Sequence, residues 1–338
     1  MLSWQNALNL NPHWRNNEQG NHMAIYILKR LFQSCITVLI IVTLVFLMLR
    51  MLPTDYYFTE NELTKLNEEQ KHDILEAQGL LDPPLIQLGR FYKDLLQGDL
   101  GTSRRIKSGQ PVTKLIGKKL VISMKMGLIA LGISLFVGVI SGVFQALRKG
   151  RLFDKIGTAY TIFANAVPKL VSYSLILVLG ARVFNLPSMF TYRNVVRSSI
   201  LPVICLSLGT IASYMIWTRR YMVDELSKDY VRLAKIKGLS DRAIVFKHVL
   251  KNAFVPLVQF IPGAFLYTMG GSLLVERFFS VPGMGTLLTD AINRYDTSVV
   301  QIVIMFYAVL GVLGVLLGDL LMIMIDPRIR LTNDKGAR

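Results

Sequence analysis

Five stretches of this chain, residues 31–49, 126–147, 198–218, 252–275 and 297–318, contain no Asp, Glu, Lys or Arg. Each is close to the about 20 residues that a helix needs to cross the hydrocarbon core of a bilayer. A sixth, 156–181, is interrupted only by Lys169. Lipid offers no partner to backbone N–H and C=O groups, so a single apolar run that spans does so as a helix. The composition agrees, because 52% of the 338 residues are hydrophobic and the mean hydropathy is +0.43. A soluble domain rarely carries so much apolar surface. The expected fold is therefore all-α, a polytopic membrane protein with six transmembrane helices.

The formal net charge of +16 would also suit nucleic-acid binding, so the placement of the charges decides. Arg148, Lys149, Arg151 and Lys155 separate the second and third runs. Arg219, Arg220, Lys228, Arg232, Lys235, Lys237, Arg242, Lys247 and Lys251 separate the fourth and fifth. The other short connections are poor in basic residues, with Arg193 and Arg197 in one and Arg294 in the other. By the positive-inside rule this alternation predicts that both basic loops and both chain ends are cytoplasmic. The surplus charge is thus a topology signal, and membrane lipid, not nucleic acid, is the expected surrounding. Cys35 and Cys205 both fall inside apolar runs, placed for neither a disulfide framework nor a metal site.

Residues 1–22 are polar and rich in asparagine with no periodic apolar face, and disorder is expected there. The folded membrane domain is expected over 23–338, with the first run a retained anchor and not a signal peptide. Within it, 53–122 reads as an extracellular segment. There a mixed helical stretch over 61–80, the breaker Asp82-Pro83-Pro84 and an amphipathic stretch over 85–96 suit a small cap. Residues 219–252 read as a cytoplasmic loop. Met222, Leu226, Tyr230, Leu233 and Ala234 recur at three to four residues as one apolar stripe. Gly238 is expected to end that helix and Ser240 to cap the next, whose apolar positions are Val245, Phe246, Val249, Leu250 and Ala253.

The string 229–240, Asp-Tyr-Val-Arg-Leu-Ala-Lys-Ile-Lys-Gly-Leu-Ser, resembles the EAA loop of binding-protein-dependent ABC importer permeases, in the variant of the oligopeptide, dipeptide and nickel permease family. Arg232 and Leu233 stand where Glu and Ala are usual in the general pattern, which is similar to the peptide and nickel branch. The resemblance runs from about Ile25 to Leu331. It takes in the end of the first run at Leu49-Arg50-Met51-Leu52-Pro53 and Gly98-Asp99-Leu100-Gly101-Thr102-Ser103 before the second. It continues with Val275-Glu276-Arg277-Phe278-Phe279-Ser280-Val281-Pro282-Gly283-Met284-Gly285 after the fifth, and closes with Asp326-Pro327-Arg328-Ile329-Arg330. Pro282, Gly283 and Gly285 suit a tight turn that cannot continue a helix, and Phe278 and Phe279 suit a membrane interface.

What the resemblance implies is the type I (MetI-like) ABC importer permease fold. The chain would be a B-type subunit forming half of a translocation pathway for oligo- or dipeptides in a bacterial plasma membrane. Its partners would be a second homologous permease subunit in a heterodimer, two ABC ATPase subunits and an extracellular or periplasmic solute-binding protein. The ATPase-coupling residues would be Tyr230, Arg232, Leu233, Ala234, Lys235, Lys237, Gly238 and Leu239. Candidates for the pathway are Lys169, which is costly to expose to lipid, together with Pro168 and Glu276. The chain has no Gly-x-x-x-x-Gly-Lys-[Ser/Thr] loop, so no cofactor is expected on it, and ATP and Mg would be bound by the partner ATPases. No His-Glu-x-x-His or Gly-x-Ser-x-Gly string points to an enzyme. A nickel-chelate or glutathione permease and an ion-coupled secondary carrier stay open at this point. A carrier would need intramembrane acids, for which Asp319 is the candidate.

Overall fold

The computed structural model describes residues 12–58, 60–269 and 271–325, and among these there are helices and turns but no strand. The first helix, α1 (Pro12–Arg50), begins well before its apolar run. Residues 12–22, expected to be disordered, form its opening turns. A helix already nucleated in the apolar run extends at far lower cost than a new one starts, and Pro12 is tolerated in the first turn, where its missing N–H has no helical partner to lose. Residues 1–11 and the closing motif at 326–330 lie outside the described residues.

Three short helices follow, α2 (Glu60–Lys65), α3 (Glu68–Ala77) and α4 (Pro84–Leu96). The single helical stretch expected over 61–80 is two helices because Asn67 caps α3. Its Oδ1 accepts from Gln70 N at 2.8 Å, while Gln70 Oε1 accepts from Asn67 N at 3.1 Å. Pro84 opens α4 at a position where its absent N–H is harmless. The α4 helix rests on α1 through the Tyr92 and Thr43 hydroxyls, 2.7 Å apart, and the Phe91 and Phe46 rings.

The long helix α5 (Val112–Leu147) starts before the expected end of the external segment at 122, because its charged first turns are helical too. The third apolar run is not one rod. It forms α6 (Leu152–Ala166) and α7 (Lys169–Phe184), bent by 112° at Val167-Pro168. Val167, held extended at φ −79° and ψ 130° before the proline, cannot continue α6. Then come α8 (Val195–Leu226), α9 (Asp229–Ile236) and α10 (Asp241–Ile244). A π-helical turn over Val245–Val249 leads into α11 (Leu250–Met269). The fifth run, expected to span to 275, breaks before α12 (Leu273–Phe278), and α13 (Met284–Asn293) and α14 (Thr297–Ile325) close the described chain. Among the described residues five helices are long and apolar enough to cross a membrane, and six spans result if the bent pair α6 and α7 is counted as one.

In a bilayer, helices gain little from burying apolar surface against one another, and small residues that allow close approach matter more. Ser134, Gly138 and Gly142 form such a stripe on α5. A Cβ added at Gly138 would lie 2.9 Å from the Ile211 carbonyl oxygen, and one at Gly142 would lie 2.8 Å from that of Met215. The α8 backbone therefore sits directly against α5. Three buried clusters stack along the molecule. One joins the start of α5 to α13 and α14, the middle one joins α5, α7, α8 and α12, and the last joins the ends of α5 and α8 to α9 and α11. Polar ties lock the last level. Arg219 of α8 grips Asp154 of α6 with Nε at 2.6 Å and a second nitrogen at 2.9 Å. Asp319 of α14 lies between Arg30 Nε at 3.4 Å and Gln259 Nε2 at 3.3 Å.

Candidate functional site

The break between α6 and α7 opens onto a cavity of about 890 Å³. Its wall is contributed by α5, the α6–α7 bend, α8, the α11–α12 break and α14. Much of the lining is apolar, with polar groups from Asn165, Thr210, Ser213 and Tyr307. Two charged side chains line it, Lys169 and Glu276. Lys169 is the first residue of α7, directly after Pro168, and is exposed. Pro168 is exposed as well but does not line the cavity; its neighbour Val167 does. Pro168 shapes the space by making the bend.

Glu276 lines the cavity, yet it is only 3% exposed and its carboxylate is fully engaged. Oε1 accepts from Ser123 Oγ at 2.6 Å, and Oε2 accepts from the backbone N–H groups of Gly285 at 2.8 Å and Thr286 at 3.3 Å. Ser123 Oγ also accepts from Met284 N at 2.8 Å. A carboxylate at the opening turn of α13 is placed where the helix dipole favours it. These bonds tie α12 and α13 to α5, so Glu276 holds the wall together. Any side chain at Gly271, where φ is +72°, or at Gly283 would collide with this pair. The turn expected around Pro282 and Gly283 is present between α12 and α13. Phe279 is not an interfacial ring. It is fully buried with Val275 and Val281, and Phe278 packs edge-on against Tyr173.

At the far end of the molecule from α2–α4, α9 and α10 form the expected helix, glycine turn and helix. Gly238 has φ +79°, and the turn closes with Leu239 N donating to Ala234 O at 3.2 Å. Ser240 Oγ accepts from Ala243 N at 3.3 Å and opens α10. The apolar stripe differs from expectation. Met222 and Leu226 belong to α8, and the break at Ser227-Lys228 resets the register, so α9 buries Val231 and Ala234 while Leu233 is 53% exposed. The π-helical turn shifts the next stretch in the same way and leaves Phe246 outside.

Tyr230 points inward. Its hydroxyl donates to Glu225 Oε2 at 2.7 Å, and the Lys228 ammonium pairs with the other carboxylate oxygen. Burial, followed by the Glu225 hydrogen bond, pushes the Tyr230 phenol up to about 12. Arg232, Lys235, Lys237, Gly238 and Leu239 are exposed, with Lys235 Nζ 3.3 Å from Asp241 Oδ1 across the turn. Ile236, 83% exposed, shares this surface. The sequence pattern hides it because a stripe continued from α8 does not register the break at Ser227-Lys228; an isoleucine off the expected buried face is the signal available.

A cavity at a bend in a helical wall and a two-helix projection at one end suit a transport protein. Comparison with known proteins agrees. The family model for the binding-protein-dependent transport system inner membrane component matches residues 134–331. Over 312 residues the chain is 33% identical to the dipeptide transport system permease protein DppB of Lactococcus lactis subsp. cremoris, covering 91% of this chain and 100% of that protein. It is 31% identical over 317 residues to the oligopeptide transport system permease protein AppB of Bacillus subtilis, covering 91% and 99%. The oligopeptide transport system permease protein AmiC of Streptococcus pneumoniae is 37% identical over 221 residues, 65% of this chain and 44% of that protein. The chain belongs to the binding-protein-dependent transport system inner membrane component family. This permease is therefore a membrane transport subunit and not an enzyme, and its family implies ATPase and binding-protein partners. The matched residues include most of the cavity wall and the whole α9–α10 projection.

Proposed function

We propose that this permease forms one half of the solute pathway of an ATP-driven peptide importer, paired with a homologous sister permease. The similarity to dipeptide and oligopeptide permeases over 91% of the chain carries the reading. The cavity at the α6–α7 bend supports it as the pathway wall, with Lys169 facing the solute and Glu276 bracing the wall. The α9–α10 projection is the docking point of an ATPase, with Arg232, Leu233, Ala234, Lys235, Lys237, Gly238 and Leu239 as its coupling region and Tyr230 as its anchor. It lies in the cytoplasm with both chain ends, while α2–α4 face a solute-binding protein outside. ATP and Mg bind the two ATPases and not this chain. Closure of the ATPases pushes the projections, and the helices that they continue reorient the cavity between the two sides.

A nickel chelate or glutathione would pass through a similar pathway, and the relatives' names favour peptides over both. An ion-coupled carrier is disfavoured because Asp319 is held by Arg30 and Gln259. Gentle purification with mass spectrometry of the co-purifying proteins and of the ligand on the binding protein tests the reading. The expected finding is a sister permease, ATPases and a bound peptide. Recovery of a homodimer without ATPases would overturn it.

A further inference from the structure

Within the proposed peptide pathway, two charged groups line the cavity wall, and they are in opposite states. Both Glu276 carboxylate oxygens are committed to Ser123 and to the start of α13. Among the described residues no carboxylate forms an ion pair with the Lys169 ammonium, although it lines the same cavity. The backbone adds to this field. Lys169 opens the 16-residue α7, and the residue before it, Pro168, has no side chain to accept from the first-turn N–H groups. The Pro168 carbonyl accepts from the N–H groups of Val171 at 2.9 Å and Ser172 at 3.2 Å, and the partial positive end of the helix, without a side-chain cap, lies beside the ammonium. The available charge of the wall is positive, on a space of about 890 Å³ that lies within the ~300–1,000 Å³ of small-molecule sites.

We infer that Lys169 and the opening turn of α7 form the point where the cavity holds the carboxylate of its passing solute, so that the pathway favours peptides with a free C-terminus. A peptide is a poor ligand for an apolar wall, and its C-terminal carboxylate is the anionic group that every unmodified peptide carries whatever its sequence. A single cation on an otherwise neutral wall would recognise that shared group and ignore the side chains. A flexible ammonium, making a charge-assisted contact without the fixed fork of an arginine, also lets the solute leave. The inference rests on the reading of this cavity as a peptide pathway.

The test uses the complete importer in proteoliposomes and measures ATP-driven uptake of radiolabelled trialanine and of its C-terminal amide, each with saturating binding protein. Any preference of the binding protein is common to all variants, so the change in the acid-to-amide rate ratio isolates Lys169. The native importer should favour the acid, and Lys169→Met should lower the ratio at least ~10-fold, the worth of a charge-assisted contact. Lys169→Arg should retain the preference, and Lys169→Glu should invert it. Lys169→Gln serves in the same way if the Met variant fails to assemble. An unchanged ratio in the neutral variants would overturn the inference, as would equal slowing of both substrates, which would mean that Lys169 meets a sister-subunit carboxylate or lipid phosphate. Absence of ATP-driven uptake of both peptides by the native importer would sink the peptide reading itself, and the inference with it.

Discussion

Ser103 and Asp296, 193 residues apart in sequence, meet in a hydrogen bond of 2.6 Å that is wholly buried. The same carboxylate accepts from the backbone N–H groups of Arg105 at 3.0 Å, Ile106 at 3.1 Å and Arg104 at 3.4 Å. The loop before α5 is thereby wrapped around the residue that precedes α14. Arg105 reinforces the junction by donating to the carbonyls of Arg294 and Tyr56.

This latch should be pH-sensitive in a definite direction. Burial alone would raise the Asp296 carboxyl, but the Ser103 hydroxyl and the three backbone donors outweigh it and hold it below the usual range. A folded value below the unfolded one contributes stability above the ordinary carboxyl value of about 3.9, and that stability is lost as pH falls through the lower folded value. Asp296→Asn should cost about 2–3 kcal/mol at neutral pH and flatten the acid limb of the thermal midpoint measured in detergent. An acid limb identical to the native one would contradict the latch.

The α5–α8 contact predicts a contrast between two glycines of one helix. Gly142→Ala puts a methyl group 2.8 Å from the Met215 carbonyl oxygen and should lower the yield of folded permease or its thermal midpoint, at a cost of about 1–3 kcal/mol. Gly132→Ala meets nothing within 4 Å and should be neutral or stabilising by up to about 1 kcal/mol. Equal behaviour of the two variants in a thermal melt would contradict the packing described.

On α9 the two faces should separate stability from attachment. Leu233→Asp and Ile236→Asp alter exposed side chains and should leave the thermal midpoint unchanged while reducing ATPase co-purification at least ~10-fold. Val231→Asp, at a position 3% exposed, should instead unfold this end of the molecule. Full ATPase recovery with both surface variants would remove the docking assignment.

The turn between α9 and α10 gives a sharper version of the same test. Gly238 has φ +79° with open space around it, so the obstacle to a side chain is backbone strain and not collision. Gly238→Val should cost about 1 kcal/mol or more and weaken ATPase attachment, with membrane insertion and pairing to the sister permease intact. Gly238→Asn should be milder, because asparagine visits the left-handed region. Arg193→Ala, expected on the opposite side of the membrane, should preserve attachment.

The spans and the glycine turn were legible because each is a local property: a charge-free run of the right length, or Gly238 followed by a capping Ser240. Helix ends were misjudged where charged turns are helical, as at Lys114 and Lys118 of α5, since hydropathy marks the apolar run and not the helix. Pro168 was visible, but the 112° bend depends on what α7 packs against. The inward turn of Val231 was hidden by a two-residue break that resets the helical register. Lys169 was recognisable from the cost of a charge in an apolar run, whereas the engagement of Glu276 and Asp296 was not. Their partners lie 153 and 193 residues away, at distances on which periodicity is silent.

The central claim is that this permease conducts peptides under the control of attached ATPases, and uptake into proteoliposomes measures it directly. The complete importer, supplied with binding protein and radiolabelled trialanine, should accumulate the peptide only when ATP reaches the ATPases. Accumulation should stop when this chain is omitted and persist when proton and sodium gradients are dissipated. Uptake that continues without the ATPases, or that follows an ion gradient in the absence of ATP, would contradict the account.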